Sequence, residues 1–161
     1  MKTLRVVLTM FVVVPLVLAV PARAQTSWDL APLLGLDLDA DELFLGGSAR
    51  IAPLGAPIIL NPGIEFYPFI GSGVSLVVVN FDVLYELQAQ SVEPYVGGGL
   101  FWSRRTFVAG TSRGDIGLNL KGGVVFSPPG NKLRPFAEGV IRIEGGSSLL
   151  LKGGLLFAIG R

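Results

Sequence analysis

Between Val74 and Gln88 the chain alternates at a strict period of two. Val77, Val79, Phe81, Val83, Tyr85 and Leu87 fall on one side of an extended backbone, and Asn80, Asp82 and Glu86 on the other. Successive side chains of a β-strand point to opposite faces, so this pattern calls for a strand with one apolar and one polar face. The scheme recurs along the chain and predicts eight strands: Trp28 to Leu38, Glu42 to Ala52, Pro57 to Tyr67, Val74 to Gln88, Val92 to Arg104, Arg113 to Ser127, Leu133 to Glu144, and Ser148 to Ile159. In the sixth, Ile116, Leu118, Leu120, Val124 and Phe126 oppose Asp115, Asn119, Lys121 and Ser127; in the eighth, Leu149, Leu151, Leu155, Phe157 and Ile159 oppose Lys152. Only the fifth blurs, because Gly97, Gly98 and Gly99 interrupt its phase. The links between strands are short and rich in Gly, Pro, Asn, Asp and Ser, as antiparallel neighbours require.

The N-terminus has a different character. Lys2 and Arg5 precede an apolar run from Val6 to Val20, and Ala22-Arg23-Ala24 supplies a small-x-small cleavage site before Gln25. Residues 1–24 are therefore expected to be a cleaved export signal, and 25–161 a single domain. Of the 13 basic side chains, Lys2, Arg5 and Arg23 lie in that leader, which leaves 10 against 12 acidic ones, scattered singly. Such a chain has no basic patch for nucleic acid. It has no Cys, hence no disulfide, thiolate metal site or lipidated cysteine.

The period alone allows apolar rows facing inward, as in a soluble lipocalin-like barrel, or outward, as in a membrane barrel. Two features favour lipid. The polar rows carry few charges, of both signs, among many small residues, which suits a filled interior better than a water-facing surface. The strands also match or exceed the roughly 9–11 residues that cross the hydrocarbon when tilted. With odd strands running outward, Trp28, Tyr85, Tyr95, Phe126 and Phe157 fall near one boundary, and Phe66, Tyr67 and Trp102 near the other. Membrane barrels carry aromatic girdles at both interfaces.

On Pro94-Tyr95-Val96-Gly97-Gly98-Gly99-Leu100, on Leu118 to Phe126, and on Arg134-Pro135-Phe136-Ala137-Glu138-Gly139 followed by an alternating last strand, the chain after the leader resembles the OmpA/OmpX-type outer-membrane barrels. The resemblance implies an all-β fold, an eight-stranded antiparallel up-and-down transmembrane β-barrel. It also implies location in the bacterial outer membrane and dealings with the outer-membrane assembly machinery. Barrels of this type finish on a terminal aromatic; here Phe157 and Ile159 keep the alternation and Gly160-Arg161 follow.

Candidate chemistry is sparse. There is no His, which removes the usual general base and the commonest metal ligand. Asp82 with Glu86, and Glu138 with Glu144, are the carboxylate pairs that could act as acid and base. They read better as inward structural charges, with Glu65, balanced by Arg50, Lys121, Arg142 and Lys152. The acidic group Asp37, Asp39, Asp41 and Glu42 lacks the Gly and distal Glu of a calcium loop and reads as a solvated turn. No cofactor is expected. Arg104, Arg105 and Arg113 around Thr106 to Asp115 are the candidate contact with lipopolysaccharide, beside general contact with outer-membrane lipid.

These residues predict a non-enzymatic, monomeric barrel with a side-chain-filled interior and a structural or surface-interaction role. Two other functions fit the same alternation: a soluble periplasmic barrel carrying a small apolar ligand, and a narrow pore for small solutes.

Overall fold

The computed structural model describes residues 26–53, 55–68, 74–87, 89, 92–107, 110–127 and 133–160; the leader and its cleavage point lie outside them. Eight strands follow one another: β1 (Thr26–Asp37), β2 (Glu42–Pro53), β3 (Ile58–Tyr67), β4 (Val74–Glu86), β5 (Val92–Phe107), β6 (Ser112–Phe126), β7 (Leu133–Ile143) and β8 (Ser147–Gly160). Each pairs antiparallel with its neighbours in sequence, and β8 returns to β1, closing an up-and-down barrel. The predicted strands and the all-β, eight-stranded antiparallel up-and-down barrel are those observed. The main difference is in the third hairpin, where β5 and β6 run on to Phe107 and back from Ser112.

Closure matters because an open sheet would leave two rows of unpaired N–H and C=O groups. The seam between β1 and β8 runs from Trp28 opposite Gly160 to Asp37 opposite Leu150, with one irregularity between Trp28 and Asp29. Elsewhere the ladder adapts to proline. Pro62 has no N–H, and beside it Asn61 Nδ2 donates to the Ala49 carbonyl at 3.0 Å, which supplies a donor where the backbone has none.

The turns at one end of the barrel carry the chemistry expected of tight links. Asp37 Oδ1 accepts from the backbone N–H of Asp39 and of Ala40, both at 3.1 Å, and Asp41 then takes a left-handed φ of 53°. Asp and Asn tolerate that region better than most residues because they bond locally to the backbone. In the last hairpin Gly145 takes the same region, at φ 65°. We call this the loop end, and the end that holds the start of β1 and the finish of β8 the terminal end.

The apolar rows face outward on every strand: Phe81 is 64% exposed, Ile116 63% and Leu34 65%, while Glu65, Asp82 and Asn119 are at most 3% exposed. Inside, the barrel is layered. Near the terminal end lies an apolar cluster of Ala31, Ile59, Leu84, Tyr95, Val125, Phe136 and Leu156. A second, with Phe44, Tyr67, Leu76, Val78, Phe101, Val140 and Leu150, lies nearer the loop end. Four inward aromatics each sit over a glycine directly opposite on a neighbouring strand: Phe44 over Gly35, Tyr95 over Gly123, Phe101 over Gly117, and Phe136 over Gly154. A Cβ at any of these glycines would overlap the ring. The small residue is thus what lets a narrow barrel admit a large ring.

Candidate functional site

Between the two apolar clusters the inward rows of β3, β4, β6, β7 and β8 bring charged side chains together, because residues two apart on each strand share the interior face. Lys121 Nζ lies 2.7 Å from Asp82 Oδ2 and 3.3 Å from Glu138 Oε1. Lys152 Nζ lies 2.6 Å from Glu65 Oε1 and 3.8 Å from Glu138 Oε1. Arg142 donates through Nη2 to Glu65 Oε2 at 2.7 Å and through Nη1 to Tyr67 Oη at 2.9 Å. Neutral groups complete the network: Tyr95 Oη donates to Glu138 Oε2, Asn80 Nδ2 to Glu65 Oε1, and Asn119 Nδ2 to Asn80 Oδ1, each at 2.9 Å.

Arg50 is held another way. Its guanidinium carbon lies 4.3 Å from the centre of the Tyr95 ring and 5.5 Å from that of Phe136, a cation–π stack. The cavity among Arg50, Asn61, Glu65, Asp82, Lys121 and Lys152 measures about 10 Å³, the lower limit for a single water. The layer is a plug.

Two of the inward charges expected from the sequence sit elsewhere than in the plug. Glu86 is half-buried at the terminal end of β4. Nearby in that part of the barrel, Arg134 pairs with Asp29 at 2.6 Å and Glu93 at 3.0 Å, an arrangement unforeseen because the three come from strands far apart in sequence. Glu144 is a correction: it follows β7 in the last turn, is exposed, and reaches only the rim, where Ser103 Oγ donates to its Oε2 at 3.5 Å.

Two aromatics expected at the interfaces need correction as well, the first being Tyr67, which follows outward Phe66 on β3, faces inward and is 1% exposed. Trp28, Phe66, Tyr85, Trp102, Phe126 and Phe157 all face outward, between 40% and 50% exposed. Tyr95 faces inward and is 2% exposed, for its position is an odd number of residues from Trp102 on the same strand. The three arginines do not form one surface either. Arg104 lies on the outer row beside Trp102, with Nη2 donating to Ser112 Oγ at 3.3 Å. Arg105 and Arg113, opposite each other on β5 and β6, belong to the inner row and line the barrel mouth. Arg113 pairs with Asp115 at 3.1 Å, largely in solvent.

Above the plug, the loop end opens into a cup of about 430 Å³. Its wall includes Tyr67, Leu76, Val78, Phe101 and Phe107, and Arg142 contributes to its floor. Charged side chains of both signs ring its mouth: Asp37, Glu42, Arg105, Arg113, Asp115 and Glu144. Sequence reasoning missed the cup, since it depends on where the inward apolar residues stop. Among the described residues no group of three or more Asp or Glu side chains converges as metal ligands would. The carboxylate of Asp37 already holds its own turn.

No family model matches the chain, and no curated protein does. Solved structures do. The N-terminal β-barrel domain of Pseudomonas aeruginosa OprF aligns with a TM-score of 0.67 at 17% identity, over 84% of this chain and 98% of that one. Neisserial surface protein A gives 0.63 at 19% identity, over 83% and 96%. A major outer membrane protein from Thermus thermophilus gives 0.51 at 15% identity, over 82% and 99%. The neighbours are small eight-stranded outer-membrane barrels, and what this chain shares with them is the fold.

Proposed function

We propose that this protein is a non-enzymatic barrel of the bacterial outer membrane, exported by its leader, with an interior closed by the ion-paired plug and a structural or surface-interaction role. One observation carries the proposal: large apolar side chains face outward on every strand while buried charges face the axis. A soluble domain has no reason to expose so continuous an apolar wall. In hydrocarbon the same wall is the preferred surface, and a closed barrel satisfies its backbone internally. The soluble-carrier reading needs the opposite sense of the rows.

The loop end is taken to face outward from the cell and the terminal end the periplasm. Outer-membrane lipid is then the main partner, and a lipopolysaccharide contact falls to Arg104 with Trp102, the cation and aromatic that share the outer row. Arg104→Ala is expected to reduce lipopolysaccharide retention during purification, and Arg105→Ala and Arg113→Ala to leave it unchanged. Equal effects from all three would remove this contact.

Fractionation tests the placement. The protein should pellet with outer membranes and migrate differently on gels before and after boiling. Recovery as a soluble periplasmic protein would sink the proposal. In planar bilayers the plug predicts no large stable conductance, the result that separates this reading from a small-solute pore.

A further inference from the structure

The cup at the loop end has a charge arrangement that the plug does not need. In a ring of eight strands, β1 and β2 stand half a turn from β5 and β6. Asp37 and Glu42 are opposite each other on β1 and β2 and line one side of the mouth. Arg105, on β5, lines the other. Between them the wall is apolar, with Leu76, Val78 and Phe101. The floor is closed: Arg142 gives Nη1 and Nη2 to Tyr67 and Glu65, and its guanidinium carbon lies 4.8 Å from the centre of the Phe101 ring.

We propose that this cup binds small zwitterions with an apolar body, short peptides with free ends above all. The ammonium faces Glu42, beside the Asp37 carboxylate that holds its own turn, the carboxylate faces Arg105, and the apolar side chains lie on Leu76, Val78 and Phe101. The inference concerns the barrel interior and does not depend on which membrane holds the protein.

Three features select this class. A volume of about 430 Å³ is within the roughly 300–1,000 Å³ of small-molecule sites. On the β5–β6 side Arg113 is balanced by Asp115 and Glu144 reaches Ser103, so Arg105 is the cation left to a ligand carboxylate, while Glu42 across the mouth favours an ammonium; a zwitterion can use both. An acyl chain is excluded by depth, since the Arg142–Glu65 pair closes the floor. Arg105 is exposed and Glu42 half-buried, so each adds only modest affinity, and the expected binding is weak and selective.

The test is a titration of the full protein, purified in the uncharged detergent dodecyl maltoside, followed by backbone amide NMR. The probe is phenylalanyl-leucine, compared with its N-acetyl and C-amide forms. The free dipeptide should give saturable shifts confined to the amides around Leu76, Phe101 and Ser103. Blocking either end should weaken binding about fivefold, the scale of one exposed ion pair. Glu42→Gln should lose the preference for a free amine and keep that for a free carboxylate; Arg105→Gln should do the reverse. Both sites are at the mouth, so neither variant should alter folding, and an unchanged amide spectrum without ligand checks this. Equal affinity for all three forms, preferences that survive both variants, or no saturable shift up to the solubility of the dipeptide would each overturn the proposal.

Discussion

Glu65 is 2% exposed and accepts from Arg142, Lys152 and Asn80 at once. Removing one partner of a buried ion pair leaves an uncompensated charge, which costs far more than the pair itself contributes. Glu65→Gln should therefore destabilise the barrel by about 3–5 kcal/mol, because two cations would face each other near the axis. The measurement is the folded fraction on unboiled gels across a urea series. Arg113 offers the contrast: its pair with Asp115 has side chains 78% and 35% exposed, so Arg113→Gln should shift the same curve by less than about 1 kcal/mol. The difference is one of dielectric, since both pairs have short distances.

Among the elements, the glycines divide into two kinds. Gly123 lies under the Tyr95 ring, and a Cβ there would stand 2.6 Å from Tyr95 Oη. Gly139, on the outer row, would bring its Cβ only to within 4.0 Å of the Gly122 carbonyl. Gly123→Ala should cost about 1–3 kcal/mol through overpacking. Gly139→Ala should be neutral or slightly stabilising, because alanine restricts the unfolded chain, and thermal melts in detergent would rank the two. This division was not legible in the sequence, since which glycine faces which ring is a matter of register between strands. The strands themselves were legible, because a one-residue error in phase would put charges into the apolar wall. Errors arose where phase was not carried through. Arg104 and Arg105 are consecutive in a strand and must face opposite ways, and counting from Trp102 through Gly99, Gly98 and Gly97 places Tyr95 inside. Glu144 was misplaced for a different reason: alternation says which face a residue takes but not where the strand stops.

At the scale of the whole molecule, the outer wall should report depth. Leu120 lies near the middle of β6, and Ile116 nearer the loop end, opposite Trp102. If the wall spans a bilayer, Leu120→Arg should cost about 2–4 kcal/mol and Ile116→Arg markedly less, as the penalty falls from midplane to interface. Folding titrations into lipid vesicles would show it, and equal costs would argue against a spanning wall. The seam between β1 and β8 has a different implication. Every strand has two partners, and Trp28 stands opposite Gly160. The ring therefore has no privileged point of interruption. A circularly permuted chain, with residues 160 and 26 joined by a short flexible linker and new ends opened between Gly145 and Gly146, should regain the same barrel, because the order in which strands are synthesised is not part of what holds them.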